Sequence, residues 1–396
     1  MSHKLISHSP DLQRLRNEGY DVEIRSNHLL IKNVPYVNAL REVKRGILVS
    51  ELTLAGDRTT TPGTHVAMFS GEYPCNKDGS PIAQLRHGSN SQQIDRDLVV
   101  HHSFSNKPAE GYKNYYDKMV TYATIISSPA RSMDPSATPQ TFPIIETSEE
   151  ESVFKYLDTA SSRAGITSVT QALEIGKIAI VGLGGTGSYV LDLVAKTPVK
   201  EIYLFDGDKF LQHNAFRSPG APSIDELRKE QMKVTYLSER YSNMRRNIFA
   251  VASFVDASNV DQLKGMDFVF LCVDKGGAKK LIVEKLEPWG IPFIDVGMGI
   301  EQVDKSLLGV LRVTTSTAKQ RGHVRAKNRI AFSDGVEDDE YSQNIQIADL
   351  NALNASLAVI KWKKLFGFYQ DTEKEYHSTY SINCNLLTSE DQTLEA

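Results

Sequence analysis

The stretch Gly182-Leu183-Gly184-Gly185-Thr186-Gly187 limits what this chain can fold into more than any other. It follows a short, apolar, β-branched run, Ile178 to Val181, and precedes Tyr189, Val190, Leu193 and Val194 at helical spacing. The spacing predicts a strand, a glycine turn and a helix. In such a unit Gly182 permits the tight turn, Gly184 with Gly185 beside it lets the backbone approach a phosphate, and Gly187 lets the helix pack close to the strand. The N-terminus of the helix then offers free N–H groups and a partial positive charge to an anion. A second apolar run, Glu201 to Phe205, ends in Asp206, nineteen residues after Gly187. That is the usual place for a carboxylate that binds ribose hydroxyls, so this half of the expected site binds a nucleotide.

The glycine pattern alone fits a nicotinamide-dependent oxidoreductase equally well. The residues downstream of it separate the two. Asp206-Gly207-Asp208, Asn214 and Arg217 in the run His213-Asn214-Ala215-Phe216-Arg217, then Lys233, then Asp274 after the apolar run Phe268 to Val273, put acids, an amide and two cations around one turn. An oxidoreductase has no task for that many phosphate-directed groups. With these residues the region, over roughly 150 to 370, resembles the adenylation domain of the ThiF/MoeB-type adenylyltransferases of bacterial type, the family that includes the ubiquitin-activating enzymes.

The resemblance implies an α/β, Rossmann-like adenylation domain that uses ATP and Mg²⁺. The reaction it implies is attack of the C-terminal carboxylate of a ubiquitin-like β-grasp protein, ending in glycine, on the α-phosphorus of ATP. Arg217 would grip phosphate oxygens as a fork and Lys233 would supply a point charge. Asp206 would hold the ribose, Asp208 would sit beside it as a polar neighbour or metal contact, Asn214 would donate to a phosphate, and Asp274 would hold the metal. Relatives project an arginine from a helix before the glycine strand into the site of a neighbouring subunit. Arg163 is the candidate here, and a homodimer is expected. The chain departs from the family pattern at Ser218, at Lys275 and at Lys279, which stands where relatives carry an arginine, and Lys229 competes with Lys233 for the phosphate.

A larger departure lies in Val313 to Asn344, where ubiquitin-activating relatives carry their acceptor cysteine and this chain has none. The stretch holds Thr314, Thr315, Ser316 and Thr317, then Arg321, His323, Arg325, Lys327 and Arg329, then Asp334, Glu337, Asp338, Asp339 and Glu340. Its expected state is a solvated loop, with a lid or partner surface as the alternative. Three routes stay open after adenylation: direct transfer to a ubiquitin-conjugating-like partner, which is favoured; a thioester on Cys75 or Cys384; or an oxyester on a hydroxyl. Two other readings of the whole chain remain, a non-catalytic nucleotide-binding scaffold and the oxidoreductase.

With 396 residues the chain is expected to hold two domains. Residues 1–128 read as a smaller α+β domain that recognises a protein substrate or partner, 129–148 as a Pro-rich linker, and 149–396 as the adenylation domain. Strands are expected at Leu29 to Ile31, His65 to Phe69 and Leu98 to Val100. Helices are expected over Tyr112 to Ile126, Glu149 to Leu173 and Ile345 to Trp362, the last with Ala352, Ala355 and Ala358 for close packing. Cys75 lies in the turn-rich run Glu72 to Gly79, which is expected to keep its thiol accessible. Either it pairs with one of His65, His87, His101 and His102, or it is an ordinary loop cysteine. Cys272 is expected to be buried and inert. Three widely spaced cysteines without a CxxC pair speak against disulfides and against a cysteine-held zinc. A net charge of −4 disfavours nucleic acid as a partner, no apolar run suits a membrane span, and a cytoplasmic location is expected.

Overall fold

The computed structural model describes residues 2–333 and 345–393 and divides into two compact units, Met1–Ile145 and Glu146–Ala396.

In the first unit, a run of β-branched and apolar residues between turn signals makes a six-stranded sheet. Its order is Asp21–Arg25, His28–Val37, Val43–Glu51, Val66–Ser70, His102–Ser105 and Arg86–Gly88, all paired antiparallel. Ser26 and Asn27 form the two-residue turn between the first two strands, both at positive φ, the conformation that tight hairpins require. The helix Tyr115–Met133 covers one face, burying Tyr115, Met119, Tyr122, Ala123, Ile126 and Ala130. Asn114 caps it by accepting from the Asp117 amide at 2.8 Å.

Two expectations for this unit fail. Pro129, assigned to the linker, lies inside that helix. A proline so near the helix end removes one backbone bond, and Ala130, packed with Val37 and Ala137, holds the last turn in place. Further along, Phe142 N donates to Gly19 O at 2.9 Å and Gln140 pairs with Tyr20, so this part of the expected linker is bound to its own unit. Cys75 is buried, not accessible: it bridges Val37 and Pro81, and its thiol donates to Tyr73 O at 3.3 Å. Burial and the nearby Glu72 and Asp78 push that thiol up from its ordinary value. His101 accepts from Gly71 N and His102 contacts Ser89 Oγ, and among the described residues no group of three metal-ligating side chains forms.

The second unit has an eight-stranded mixed sheet. Ile248–Val251, Glu201–Phe205, Lys177–Val181, Phe268–Leu271 and Phe293–Val303 run parallel in that order. Ser306–Ser316, His377–Ser381 and Leu386–Glu390 continue as an antiparallel meander. Alternation along the central strands builds two cores. Ile178, Ile180, Phe268 and Phe270 pack under the helices Gly185–Ala195 and Ala348–Leu365, whereas Ala179, Val181, Val269 and Leu271 pack under Gly276–Leu286 on the other face. The last long helix begins at Ala348, three residues later than expected, and continues to Leu365. No helix among the described residues is long and apolar enough to cross a membrane.

The continuous helix expected over Glu149 to Leu173 does not form. Arg246 donates to the carbonyls of Thr147, Ser152 and Phe154, and Glu146 pairs with Tyr156, which holds this stretch extended. A new helix starts where Asp158 accepts from the amides of Ala160 and Ser161 at 2.9 and 3.1 Å. It runs only from Thr159 to Arg163 before Gly165, at φ +69, turns the chain.

The first unit also buries a charge. Lys118 Nζ donates to Ser50 Oγ at 2.8 Å and to Thr64 O at 2.9 Å, and burial pulls its ammonium down to about 8. A folded-state value below the ordinary 10.5 means the unfolded chain holds more protons between about pH 8 and 10.5, so this contribution to stability grows as pH rises through that window. Lys118→Met removes it. In urea unfolding, the stability of the wild type relative to the variant is expected to increase from pH 8 to 10.5, and a flat difference contradicts the assignment.

Candidate functional site

A cavity of about 790 Å³ opens beyond the C-terminal ends of the parallel strands, where ligands of open α/β sheets bind. Its wall is made from the residues that leave those ends: the glycine turn, Asp206 and Asp208, Phe254 and Val255, and Cys272 to Lys275.

The glycine turn is built by close approach. Gly182 has φ +89 and lies against the Cys272 carbonyl, where an added Cβ would sit 2.8 Å away. A Cβ on Gly187 would lie 1.9 Å from Gly182 O, so the helix can start here only on a bare backbone. Gly184, the N-cap of the helix Gly185–Ala195, faces the cavity, and the nearest atom to a Cβ there is Gln346 Oε1 at 4.0 Å. Gly184 and Gly185 line the cavity; Gly187 serves behind it.

Asp206 is the pivot. It is buried, and its Oδ2 accepts from Leu183 N at 2.7 Å while its Oδ1 accepts from Asp208 N at 2.8 Å. Lys233, the first residue of the helix Lys233–Ser242, brings Nζ within 3.6 Å of Asp206 and 2.7 Å of Asp208. The main chain of Lys233 also donates to Asp208 O at 2.8 Å. Lys229 is exposed and stands outside the lining, so Lys233 takes the inner position.

Arg217 reaches the cavity from a short turn that Asn214 shapes. Asn214 Oδ1 accepts from Leu211 N at 2.9 Å and Asn214 O accepts from Arg217 N at 3.1 Å. Asn214 is buried and does not line the cavity, so the expected contact with a phosphate gives way to a role beneath Arg217. Asn351, from the long helix Ala348–Leu365, ties the two sides together by bonding Thr186 Oγ1 at 2.9 Å and reaching Arg217 O at 3.5 Å. Arg217 Nε is buried without a partner among the described residues.

The structure therefore brings Gly182, Gly184, Gly185, Asp206, Asp208, Arg217, Lys233 and Asp274 onto one cavity. Arg163 is exposed on its short helix and outside that lining. Cys272 follows the strand Phe268–Leu271 directly, and burial, with Asp295 nearby, pushes its thiol far above the ordinary value. It is not a nucleophile at neutral pH.

Sequence reasoning missed three groups, Asp295, Arg312 and Phe254, of which the last two line the cavity. Asp295 is fully buried on the strand Phe293–Val303, with Lys279 Nζ at 2.7 Å and Arg312 Nη2 at 2.8 Å. Lys279, expected only to keep a family charge, is committed to that pair. Phe254 presents a ring with 54% of its surface exposed, and Lys275 Nζ lies 5.5 Å from its centre. The available signal was a lone acid and a lone arginine inside apolar strand runs, since buried charges occur almost only in pairs.

The basic run after the sheet differs too. Arg321 bonds Glu287 O, Arg325 pairs with Glu287 at 2.5 Å, and Lys327 and Arg329 pair with Asp391 and Glu390. Thr314, Thr315 and Ser316 are buried in a strand, and His323 is buried on the helix Gly322–Ala326. Arg321 and Arg325 thus bind the end of the helix Gly276–Leu286, and Lys327 and Arg329 bind the C-terminal hairpin, so the described part of the expected solvated loop is packed structure. The acidic residues Asp334, Glu337, Asp338, Asp339 and Glu340 lie outside the described residues.

The model of the ThiF family matches residues 159–325. Those residues form a ThiF-family domain. Residues 10–159 match a domain family of unknown function, DUF6791. The chain is 26% identical over 134 residues to Ubiquitin-like modifier-activating enzyme 5 of Culex quinquefasciatus, covering 31% of this chain and 34% of that protein. The enzyme of the same name from Aedes aegypti is 25% identical over the same length. The chain thus spans 34% of the length of the curated relatives it matches. Among solved structures, E. coli MccB with ATP aligns at 15% identity with a TM-score of 0.46, over 59% of this chain and 70% of that one. The fold around the cavity is the Rossmann-like ThiF fold, with a separate, mostly antiparallel β unit before it.

Asp206→Ala leaves the amides of Leu183 and Asp208 without their acceptor, takes one of two carboxylates from Lys233, and is expected to lower the unfolding free energy by about 1–3 kcal/mol. Asp208→Ala, at a side chain 56% exposed, should change it by less than about 1 kcal/mol. Urea unfolding of both variants checks the order, and a larger loss for Asp208→Ala contradicts it.

Proposed function

We propose that this chain adenylates the C-terminal carboxylate of a ubiquitin-like protein. The observation that carries the reading is Arg217, whose buried Nε has no protein partner among the described residues and whose side chain lines the same cavity as the glycine turn, Lys233 and Asp274. An unpaired guanidinium donor in such a place calls for an anion. The free amides at the start of the eleven-residue helix Gly185–Ala195 supply further donors to a phosphate.

One carboxylate oxygen attacks the α-phosphorus of ATP, the bond from that phosphorus to the bridging oxygen breaks, and its electron pair leaves with pyrophosphate. Arg217 and Lys233 offset the charge that gathers as two anions meet. Asp206 uses one lone pair of each oxygen on the backbone and keeps others for ribose hydroxyls. Phe254 offers an aromatic face for the base. Mg²⁺ fits a donor set of this kind, in which one carboxylate, Asp274, serves beside substrate phosphates in place of an all-protein cage. When bound it would neutralise phosphate charge and help orient the leaving group.

For the step after adenylation, Cys75 is buried, the Cys272 thiol is suppressed and Cys384 is outside the cavity lining. Direct transfer of the acyl group to a separate conjugating protein is therefore the favoured route. A homodimer would give the exposed Arg163 a neighbouring site to enter. The first unit is assigned to recognition of the protein substrate or partner.

ATP–pyrophosphate exchange with β-grasp proteins that end in glycine tests the reading. Arg217→Ala is expected to lower exchange by about 10²–10³-fold. ATP binding without exchange for any carrier would replace the enzyme by a nucleotide-binding scaffold, and tight NADH binding without ATP binding would return it to the oxidoreductases.

A further inference from the structure

Arg312 stands at the end of the cavity opposite Asp206, and the strands around it are shaped to leave it there. Phe293–Val303 and Ser306–Ser316 pair antiparallel with Asp295 opposite Thr314, Gly297 opposite Arg312 and Gly299 opposite Val310. Alternate residues share a face, so Asp295, Gly297, Gly299, Arg312 and Val310 line one strip. The neighbouring parallel strand ends its ladder at Leu271, opposite Asp295. Gly297 and Arg312 therefore lie roughly 7 Å beyond that strand end, where Cys272 to Asp274 turn into the cavity.

Three observations set Arg312 apart from an ordinary structural arginine. Its Nη2 is held by Asp295 Oδ2 at 2.8 Å, while Lys279 faces Oδ1 at 2.7 Å as an ion pair and not as an aligned hydrogen bond. Two cations on one fully buried carboxylate leave a net positive charge at the cavity wall. Arg312 Nε is itself buried and has no acceptor among the described residues, on a side chain that is 23% exposed and lines the cavity. The backbone has also been cleared for it. A Cβ on Gly297 would strike the Arg312 guanidinium at 2.6 Å, whereas one on Gly299 would meet nothing within 4 Å. The first glycine lets the arginine cross its partner strand, and the second leaves an open trough running past Val310, which is 43% exposed.

We propose that Arg312 is the positioning residue for the acyl substrate, receiving the carboxylate of an extended polypeptide end that lies in this trough. The inference rests on the adenylation reading above and adds to it where the acyl group sits. Asp206 and the glycine turn occupy one side of the strand Phe268–Leu271, which gives the nucleoside and phosphates that side. Arg312 is two strands away on the other. Its Nε–H donates to the carboxylate oxygen that does not attack. That oxygen becomes the carbonyl oxygen of the adenylate and keeps the same donor, so no proton moves in the step. Asp295 fixes the guanidinium plane and Lys279 keeps the carboxylate from neutralising it.

The full chain is titrated with ATP, AMP, 5′-O-sulfamoyladenosine and its N-(acetylglycylglycyl) derivative, a stable mimic of a peptidyl adenylate. Wild type is expected to prefer the peptidyl mimic over sulfamoyladenosine by at least about tenfold, in line with a charge-assisted contact. Arg312→Lys, which keeps a cation on Asp295 but lacks the Nε donor, and Arg312→Gln are expected to bring that ratio near one while ATP affinity stays within about twofold. Retention of the wild-type preference by a folded Arg312→Lys variant overturns the proposal and leaves adenylation standing. A loss of ATP affinity relative to AMP in the variants assigns Arg312 to the pyrophosphate and overturns it as well. Failure of wild type to bind ATP or either sulfamoyl compound overturns the adenylation reading, and the proposal falls with it. Thermal unfolding identifies any variant that fails to fold, and in that event Arg312→Lys decides.

Discussion

The bonds made by Asp206 are what the rest of the second unit depends on. One carboxylate holds the amide of Leu183 in the glycine turn, the amide of Asp208 at the exit of the next strand, and the ammonium of Lys233 at the head of a helix. Three separate elements are thereby fixed at one point, where Asp206 and Lys233 are both buried and an unpaired group would cost stability. The turn can form only because Gly187 brings the helix onto Gly182, and the carboxylate then gives the turned backbone its acceptor. Local steric freedom and one long-range hydrogen bond together make the cradle.

Around that point the sheet divides its labour. The parallel strands end together, so the residues after them converge on one crevice without any further design. The antiparallel meander beyond Phe293–Val303 closes the far side and contributes Arg312 and Val310. Buried charges mark both ends: Asp206 with Lys233 at one, Asp295 with Lys279 and Arg312 at the other. Each carboxylate is held by cations and hydrogen bonds, which is the condition under which such groups can be retained in a fold.

Much of this was legible before the structure. Glycine spacing, an acid after the second strand and a lysine at the head of an amphipathic helix are local patterns, and the residues that carry them stand together as expected. Groups whose partners are distant in the chain were not legible. Asn214 looks like a phosphate donor until it is seen buried outside the cavity lining, with its oxygens accepting from Leu211 and Arg217. Pro129 looks like the start of a linker until Ala130 is seen packed against Val37 and Ala137. The helix expected from Glu149 has the right acids at its start, but Arg246 takes the carbonyls of the neighbouring stretch from nearly a hundred residues away. Cys75 was misjudged for the same reason, since turn-forming neighbours say nothing of the Val37 strand edge that covers it. Charge runs are ambiguous in one dimension: the basic stretch from Arg321 to Arg329 is neutralised by Glu287, Glu390 and Asp391.

The three thiols have unequal access. Cys75 is enclosed by its own strand bridges and Cys272 is held in its protonated form at the cavity wall, whereas Cys384 sits in the open between the last two strands. A maleimide dye added at neutral pH would therefore attach at one place, on the edge of the C-terminal hairpin, and the native chain carries its own reporter position without any engineered cysteine.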